Sequence, residues 1–273
     1  MIFHNLKNNA LGIGLRPKHY KEILNDKPKL DFFEIIIENY LGESSHLAKQ
    51  KLKQISEYYP IVGHSISMNL MGTESLDLKY LDSIKSVVKE FNIPYVSDHL
   101  CWNATGKFHH HDLLPAPYHS DIIPYVSKRA KFIQEYLEIP FGIENLSSYI
   151  SWKNDEMQEW EFYNSVIKES GCFYMLDINN VYVSSMNHNF DSKDYLDSII
   201  WEKVLQVHLA GHKVLGNGII HDTHDRAISK EVWNYYKYAW ETGGPFRTLI
   251  EWDENIPTLK IVIDELDKTK QYR

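Results

Sequence analysis

The sequence predicts a closed (β/α)₈ barrel, on three observations: eight short β-branched or aromatic runs, an apolar helical period between them, and a length of 273 residues, about that of one such barrel. Leu11-Gly-Ile-Gly-Leu15 opens the series. Its Gly12 and Gly14 are a weak sign of an open, dinucleotide-binding sheet, because Pro17 stands where a third glycine would complete that turn. Phe32–Ile37, Ile61–Ser65, Pro94–Asp98, Pro140–Glu144, Phe173–Asp177, Val204–His208 and Arg247–Glu251 follow, with strand ends 22 to 46 residues apart. That interval holds a loop and a helix. Leu78, Leu81, Ile84, Val87, Val88 and Phe91, and later Val126, Ala130, Ile133 and Leu137, recur at the three- and four-residue spacing of amphipathic helices. Strand and helix in alternation imply a parallel sheet with right-handed crossovers. No repeat, low-complexity tract or linker divides the chain, so residues 1–273 are read as one domain.

Composition narrows the function. A net charge of −8 provides no basic field for a phosphate backbone, so nucleic acid is not expected as a partner. Only two cysteines, Cys101 and Cys172, exclude a disulfide scaffold and a four-cysteine metal site and suit a cytoplasmic protein. Residues 1–7 lack the basic start and apolar run of a signal peptide, and no apolar run is long enough for a membrane span. The unusual feature is fourteen histidines in a chain with 43% apolar residues.

The strand ends carry the chemistry. His64 closes the third run, Asp98-His99 the fourth, Glu144-Asn145 the fifth, Asp177 the sixth, His208 the seventh and Glu251 the eighth. A barrel directs such ends to its carboxyl-terminal mouth. Buried carboxylates need a cation or a proton, and no lysine or arginine ends any of these runs; Arg247 begins one and is expected at the opposite face. Imidazoles with carboxylates suit zinc, iron or manganese. Asp222-Thr-His224 offers a further pair of ligands, and Asn180, three residues after Asp177, a neutral oxygen.

The order of these residues resembles the xylose-isomerase-like barrels, and within them the three-metal arrangement of endonuclease IV. By that resemblance His64, His99 and Glu144 hold one metal, Glu144 bridges to a second held by Asp177, His208 and Glu251, and Asn180, Asp222 and His224 hold a third. Endonuclease IV has histidine where this chain has Asn180. The runs Gly63-His-Ser-Ile-Ser67, Ser97-Asp-His-Leu100, Glu144-Asn-Leu-Ser-Ser-Tyr149, Leu176–Val183, Val207–His212, Asp222–His224 and Glu251-Trp-Asp253 are similar to those of the multinuclear non-haem iron-dependent oxidative enzymes, relatives of the methanobactin-biosynthesis oxidase. Membership implies two or three irons in mixed Fe(II)/Fe(III) states and O2 as co-substrate. It also implies a cysteine-containing, ribosomally made precursor peptide as substrate and a small partner protein that presents it. Four carboxylates against three divalent ions leave an excess of positive charge that a substrate thiolate and a hydroxide would balance.

Neighbouring residues take lesser roles. His212 and Asp98 are candidate catalytic residues, with Asp98 and Asn145 better suited to orienting ligands. Glu38, Trp102, Tyr149 and Tyr182 are candidates for contact with substrate or with the ligands, and Trp252 joins the aromatic lining. His109–His111 is read as an exposed loop run, Cys101 as no nucleophile and Cys172 as core. Two rival readings remain: a zinc or manganese hydrolase or isomerase of the endonuclease IV or xylose isomerase type, and a non-catalytic metal- or peptide-binding module.

Overall fold

The computed structural model describes residues 6–106, 108–216 and 218–273, without the side chains of Glu43 and His111. Residues 1–5, part of the segment read against a signal peptide, lie outside the described residues. The elements run β1 (Leu11–Gly14), α1 (Tyr20–Asp26), β2 (Phe32–Ile36), α2 (His46–Ser56), β3 (Ile61–His64), α3 (Leu78–Phe91), β4 (Val96–His99), β5 (Trp102–Thr105), β6 (Phe108–Leu114) and α4 (Ile123–Leu137). They continue β7 (Phe141–Glu144), α5 (Glu159–Ser170), β8 (Phe173–Asp177), α6 (Ile178–His188), α7 (Ser192–Ser198), β9 (Val204–Leu209), β10 (His212–Val214), β11 (Ile220–Asp222), α8 (Lys230–Gly243), β12 (Thr248–Ile250) and α9 (Leu259–Asp267).

Strands β1, β2, β3, β4, β7, β8, β9 and β12 close into a parallel barrel in that order, with β12 paired back to β1. All eight predicted runs fall on these strands. Pro94 and Pro140 precede β4 and β7 because proline has no N–H for the ladder, although the Pro140 carbonyl still accepts from Val96 N.

Helix α3 shows how the outer layer forms. The Asp77 carboxylate accepts from Lys79 N and Tyr80 N to start the helix, and Asn92 ends it in the left-handed region at φ 51°. Leu81, Ile84, Val87, Val88 and Phe91 are its buried face, as the spacing predicts, whereas Leu78 in the first turn is exposed.

The barrel lumen is apolar at its lower end, where Phe32, Val62, Tyr95, Met175 and Leu249 pack together. One strand layer higher it turns polar. Period-two alternation carries Phe32 to Glu34, Tyr95 to Ser97 and His99, Met175 to Asp177, and Leu249 to Glu251. Register completes the alignment: His64 pairs with Ser97, His99 with Glu144, and Asp177 with His208.

Gly12 and Gly14 are explained by close approach within this lumen. A Cβ on Gly12 would stand 2.6 Å from the Phe32 ring, and one on Gly14 would stand 2.8 Å from the Arg16 guanidinium. The two glycines make room for side chains.

Two antiparallel hairpins, β5–β6 and β10–β11, follow β4 and β9 and were not predicted. Their strands are short and lack clean alternation, so they read as loops. His109–His111 therefore lies on β6 and not in a loop, with His109 and His110 exposed as expected. No helix among the described residues is long and apolar enough to cross a membrane.

Glu159 opens α5 in a buried position and accepts a hydrogen bond from Tyr195 OH at 2.8 Å. Burial pushes its carboxyl from 4.5 up to about 7, against the pull of the Tyr195 and Tyr118 hydroxyls. Between those values the folded protein binds a proton that the unfolded chain has released, so stability falls as pH rises. The loss is complete above about pH 8 and is at most roughly 3 kcal/mol. Glu159→Gln is expected to raise Tm at pH 8 and leave it near wild type at pH 5. Identical pH dependence in both proteins would contradict this account.

Candidate metal centre

The six strand-end residues converge. His64, His99 and Glu144 form one group whose donor atoms lie within 4.8 Å of one another, and Glu144, Asp177, His208 and Glu251 form a second. Glu144 belongs to both. Its Oε2 is 3.4 Å from His64 Nε2 and 3.5 Å from His99 Nε2, while its Oε1 is 3.0 Å from His208 Nδ1. His208 Nδ1 is also 3.4 Å from Glu251 Oε2. Two donors held about 2.1 Å from one ion, at angles between octahedral and tetrahedral, lie about 3.0 to 3.4 Å apart. The Glu144 spacings to His64 and His208 fit that range and that to His99 lies 0.1 Å beyond it, and those at Oε2 are long for hydrogen bonds.

Each imidazole is held by its other nitrogen or by its strand. His64 Nδ1 hydrogen-bonds Ser97 Oγ at 2.8 Å, which leaves Nε2 for the centre. His208 Nε2 lies 3.0 Å from Glu34 Oε1, leaving Nδ1 for the centre. His99 Nδ1 is 3.8 Å from Asp98 Oδ1, beyond hydrogen-bond reach.

A third group gathers around α6. Asp177 caps this helix through Oδ1, which accepts from Asn180 N at 2.8 Å, and its buried Oδ2 has no hydrogen-bond partner. Asn180 Nδ2 donates to Asn145 O at 3.0 Å, so the amide is turned with Oδ1 buried and bare. His224 Nε2 is 2.8 Å from Asp222 Oδ1 and 4.0 Å from Asp177 Oδ2. The other ring nitrogen, Nδ1, faces Glu251 at 3.3 Å and Asp253 at 3.2 Å. Those two carboxylates with His224 could also hold an ion. Arg16, however, already pairs with Asp253. The side of His224 facing Asp177 and Asn180 therefore offers the uncommitted oxygens, Asp177 Oδ2 and Asn180 Oδ1.

Electrostatics supports a cation at this place. Burial opposes the imidazolium of His99, yet Glu144, Asp98 and Glu251 carry its pKa up to about 9. His208 and His224 are likewise raised against burial, His208 mainly by Glu34 and Glu144 and His224 mainly by Asp222. Burial raises the Glu144 carboxyl, and His208, His99 and His64 outweigh it to bring the value to about 2. Asp177 goes the other way: burial, helped by Glu144 and Asp222, raises its carboxyl well above the usual range. Without a metal, protons neutralise this cluster. Divalent ions on the same atoms would displace them, so the donor set, its spacing and its bare oxygens fit a multinuclear metal cluster.

The remaining candidates have defined places. Asp98 is fully buried, its carboxylate accepting from Met68 N at 2.9 Å and His99 N at 2.6 Å, so it latches the loop after β3 to β4. Asn145 ties β7 to β8, exchanging two 2.9 Å hydrogen bonds with the Asp177 backbone. Glu38 follows β2 on a short helical turn, and its Oε1 accepts from Ser65 Oγ, Ile66 N and Tyr80 OH. His212 is buried on β10 with Nδ1 2.7 Å from Asn179 Oδ1, and Asn179 Nδ2 donates to Asp222 Oδ1 at 2.7 Å. Burial depresses the His212 pKa and favours the neutral ring. Tyr149 OH accepts from Asp222 N, and Tyr182 packs on His212 with ring centroids 5.1 Å apart. Trp102 lies on β5 against His110, and Trp252 is buried with its carbonyl accepting from Arg16 Nε. Cys172 is core as expected; both it and Cys101 are buried, with thiol pKa values raised by burial.

Sequence reasoning missed five partners. Arg16 brings to the mouth a basic side chain that no strand end provides: it lies two residues past β1 and reaches in because Gly14 leaves space. Glu34 was the lone polar residue of its apolar run and Gln206 the lone interior one of its own, a signal of a buried polar contact. Ser97 and Asp253 sat inside quoted motifs without a role, since their function depends on which neighbour they face.

A parallel (β/α)₈ barrel with a histidine–carboxylate cluster at its mouth defines the class by architecture, and solved xylose-isomerase-like barrels share that fold. Among solved structures, a D-allulose 3-epimerase from Methylomonas is similar at TM-score 0.63 and 12% identity, covering 98% of both chains. A xylose isomerase-like barrel protein from Mycobacterium smegmatis, in complex with magnesium, gives 0.58 and 11%, covering 93% of this chain and 86% of that one. At such identity the likeness is one of fold. The chain belongs to the family of RiPP precursor modification enzymes MbnB/TglH/ChrH, which it matches over residues 10–273. A UPF0276 protein of Caulobacter vibrioides is 38% identical over 263 residues, covering 95% of this chain and 92% of its own. One from Acaryochloris marina is 37% identical over 261 residues, covering 96% and 94%.

Asn180→Ala removes a bare oxygen from the third group alone. It is expected to lower bound divalent metal by about one ion per chain with Tm little changed. Unchanged metal content by elemental analysis would exclude Asn180 from the centre.

Proposed function

We propose that this chain is a multinuclear iron-dependent oxidase that uses O2 to modify a cysteine in a ribosomally synthesised precursor peptide. The observation that carries the reading is Glu144, a buried carboxylate with one oxygen facing His64 and His99 and the other facing His208. A carboxylate so placed suits two ions side by side, and the family match supports modification of a precursor peptide. In this reading Glu144, Asp177, His208 and Glu251 hold one ion, His64 and His99 with Glu144 a second, and Asn180, Asp222 and His224 a third. Two or three irons in mixed Fe(II)/Fe(III) states would supply thiolate binding and the redox electrons for O2 chemistry.

The chain's own groups do the rest. Apolar packing below Glu34 closes the lumen to water from the lower end. Tyr149 and Tyr182 frame the approach to Asp222 and His212 for a peptide backbone or side chain. His212, with Nδ1 committed to Asn179, keeps Nε2 to take or return a proton near the third group. A small protein that presents the peptide and a cytoplasmic location belong to the same reading; the two free, buried cysteines suit a reducing compartment.

Protein purified without oxygen is expected to carry about two to three irons per chain, partly ferrous by Mössbauer spectroscopy, and to consume O2 only with a cysteine-containing precursor peptide. Glu144→Ala and Asp177→Ala are expected to lose both iron and O2 uptake while keeping Tm within a few degrees. Stoichiometric zinc or manganese after growth in iron-rich medium, with activity on sugars or abasic DNA, would establish the hydrolase or isomerase alternative instead.

A further inference from the structure

We propose that Glu34 is a positioning residue for the metal centre: from the barrel lumen beneath His208 it holds the imidazole as the Nε2–H tautomer and so aims Nδ1 at the ion shared with Glu144 and Glu251. This inference rests on the metal reading above and concerns a residue outside the ligand set.

The geometry is that of a buried relay. Glu34 lies on β2 and His208 on β9, so the contact crosses the lumen and does not follow a strand ladder. His208 Nε2 is 3.0 Å from Glu34 Oε1 and 3.2 Å from Oε2, and the His208 side chain has no exposure to solvent. Gln206 shares the carboxylate, donating from Nε2 to Glu34 Oε2 at 2.7 Å. Tyr95 OH donates to Gln206 Oε1 at 2.6 Å, which turns the amide so that its NH2 faces Glu34 and His208. The Gln206 nitrogen, 2.9 Å from His208 Nε2, can donate to a bare Nε2 but has no lone pair to accept from a protonated one, so Nε2–H requires a different acceptor. The acceptor for Nε2–H is Glu34.

This arrangement decides which nitrogen is bare. With the proton on Nδ1, His208 would donate to Glu144 Oε1 at 3.0 Å and close the position that an ion needs. With the proton on Nε2 and a carboxylate beneath it, Nδ1 presents its lone pair, and the ring becomes a stronger donor. Only a carboxylate accepts from His208 and Gln206 together. A glutamine at position 34 would set its own NH2 against one of those two donors.

The test uses zinc as a diamagnetic probe. In the zinc-loaded wild-type protein, 15N-edited NMR is expected to show His208 with Nε2 protonated and Nδ1 metal-bound; a protonated Nδ1 would overturn the proposal without any variant. Glu34→Gln is expected to weaken the affinity of one zinc site by about 10- to 100-fold in chelator competition and to lose the slowly exchanging Nε2–H resonance. Wild-type affinity and an unchanged resonance in Glu34→Gln, with His208→Ala losing an ion, would overturn the role of Glu34 alone. A wild-type protein that binds no ion, or a His208→Ala variant that binds as many as wild type, would overturn the metal reading and this inference with it.

Discussion

A carboxylate taken out of water requires a cation or a proton, and the mouth of this barrel buries Glu144, Asp177 and Glu251 within one cluster. Much of the local structure follows from that requirement. The imidazoles of His99, His208 and His224 are pushed toward the charged form against burial, and Asp177 is pushed toward the neutral one. Such a cluster is costly as a structural device, because apolar residues would fill the same lumen more cheaply. It is economical as a cage for divalent ions, which supply the missing charge at the same atoms.

The rest of the fold holds that cage still. Parallel register sets His99 beside Glu144 and Asp177 beside His208, so ligand spacing is inherited from strand spacing. Beneath them Ser97, Glu34, Gln206 and Tyr95 fix ring and amide orientations, and below those the lumen is closed by Phe32, Val62, Met175 and Leu249. Asp98 and Asn145 pin the connections leaving β4 and β7. Arg16 commits Asp253 and thereby separates the two faces of His224, leaving Nε2 to the group that contains Asn180.

The barrel and the ring of strand ends were legible in the sequence because both are local patterns: a run of β-branched residues, then a polar residue at the point where a parallel strand leaves the barrel. Asp177 with Asn180 was legible for the same reason, since three residues span the first turn of a helix. Contacts across the lumen were not. Glu34 and His208 are 174 residues apart, and Arg16 and Asp253 are 237 apart. Period-two alternation says that Glu34 faces inward, but only the closure of the barrel says what it meets. The two hairpins were missed because their short strands pair with each other and bury no continuous apolar face.

The account stands on Glu144 joining two ions, and anomalous diffraction from crystals grown without oxygen tests this most directly. Data on both sides of the iron edge are expected to show at least two peaks in contact with Glu144, one beside His64 and His99 and the other beside Asp177, His208 and Glu251. A single peak that leaves Glu144 hydrogen-bonded only to histidines, or no peak in the mouth of the barrel, would contradict it.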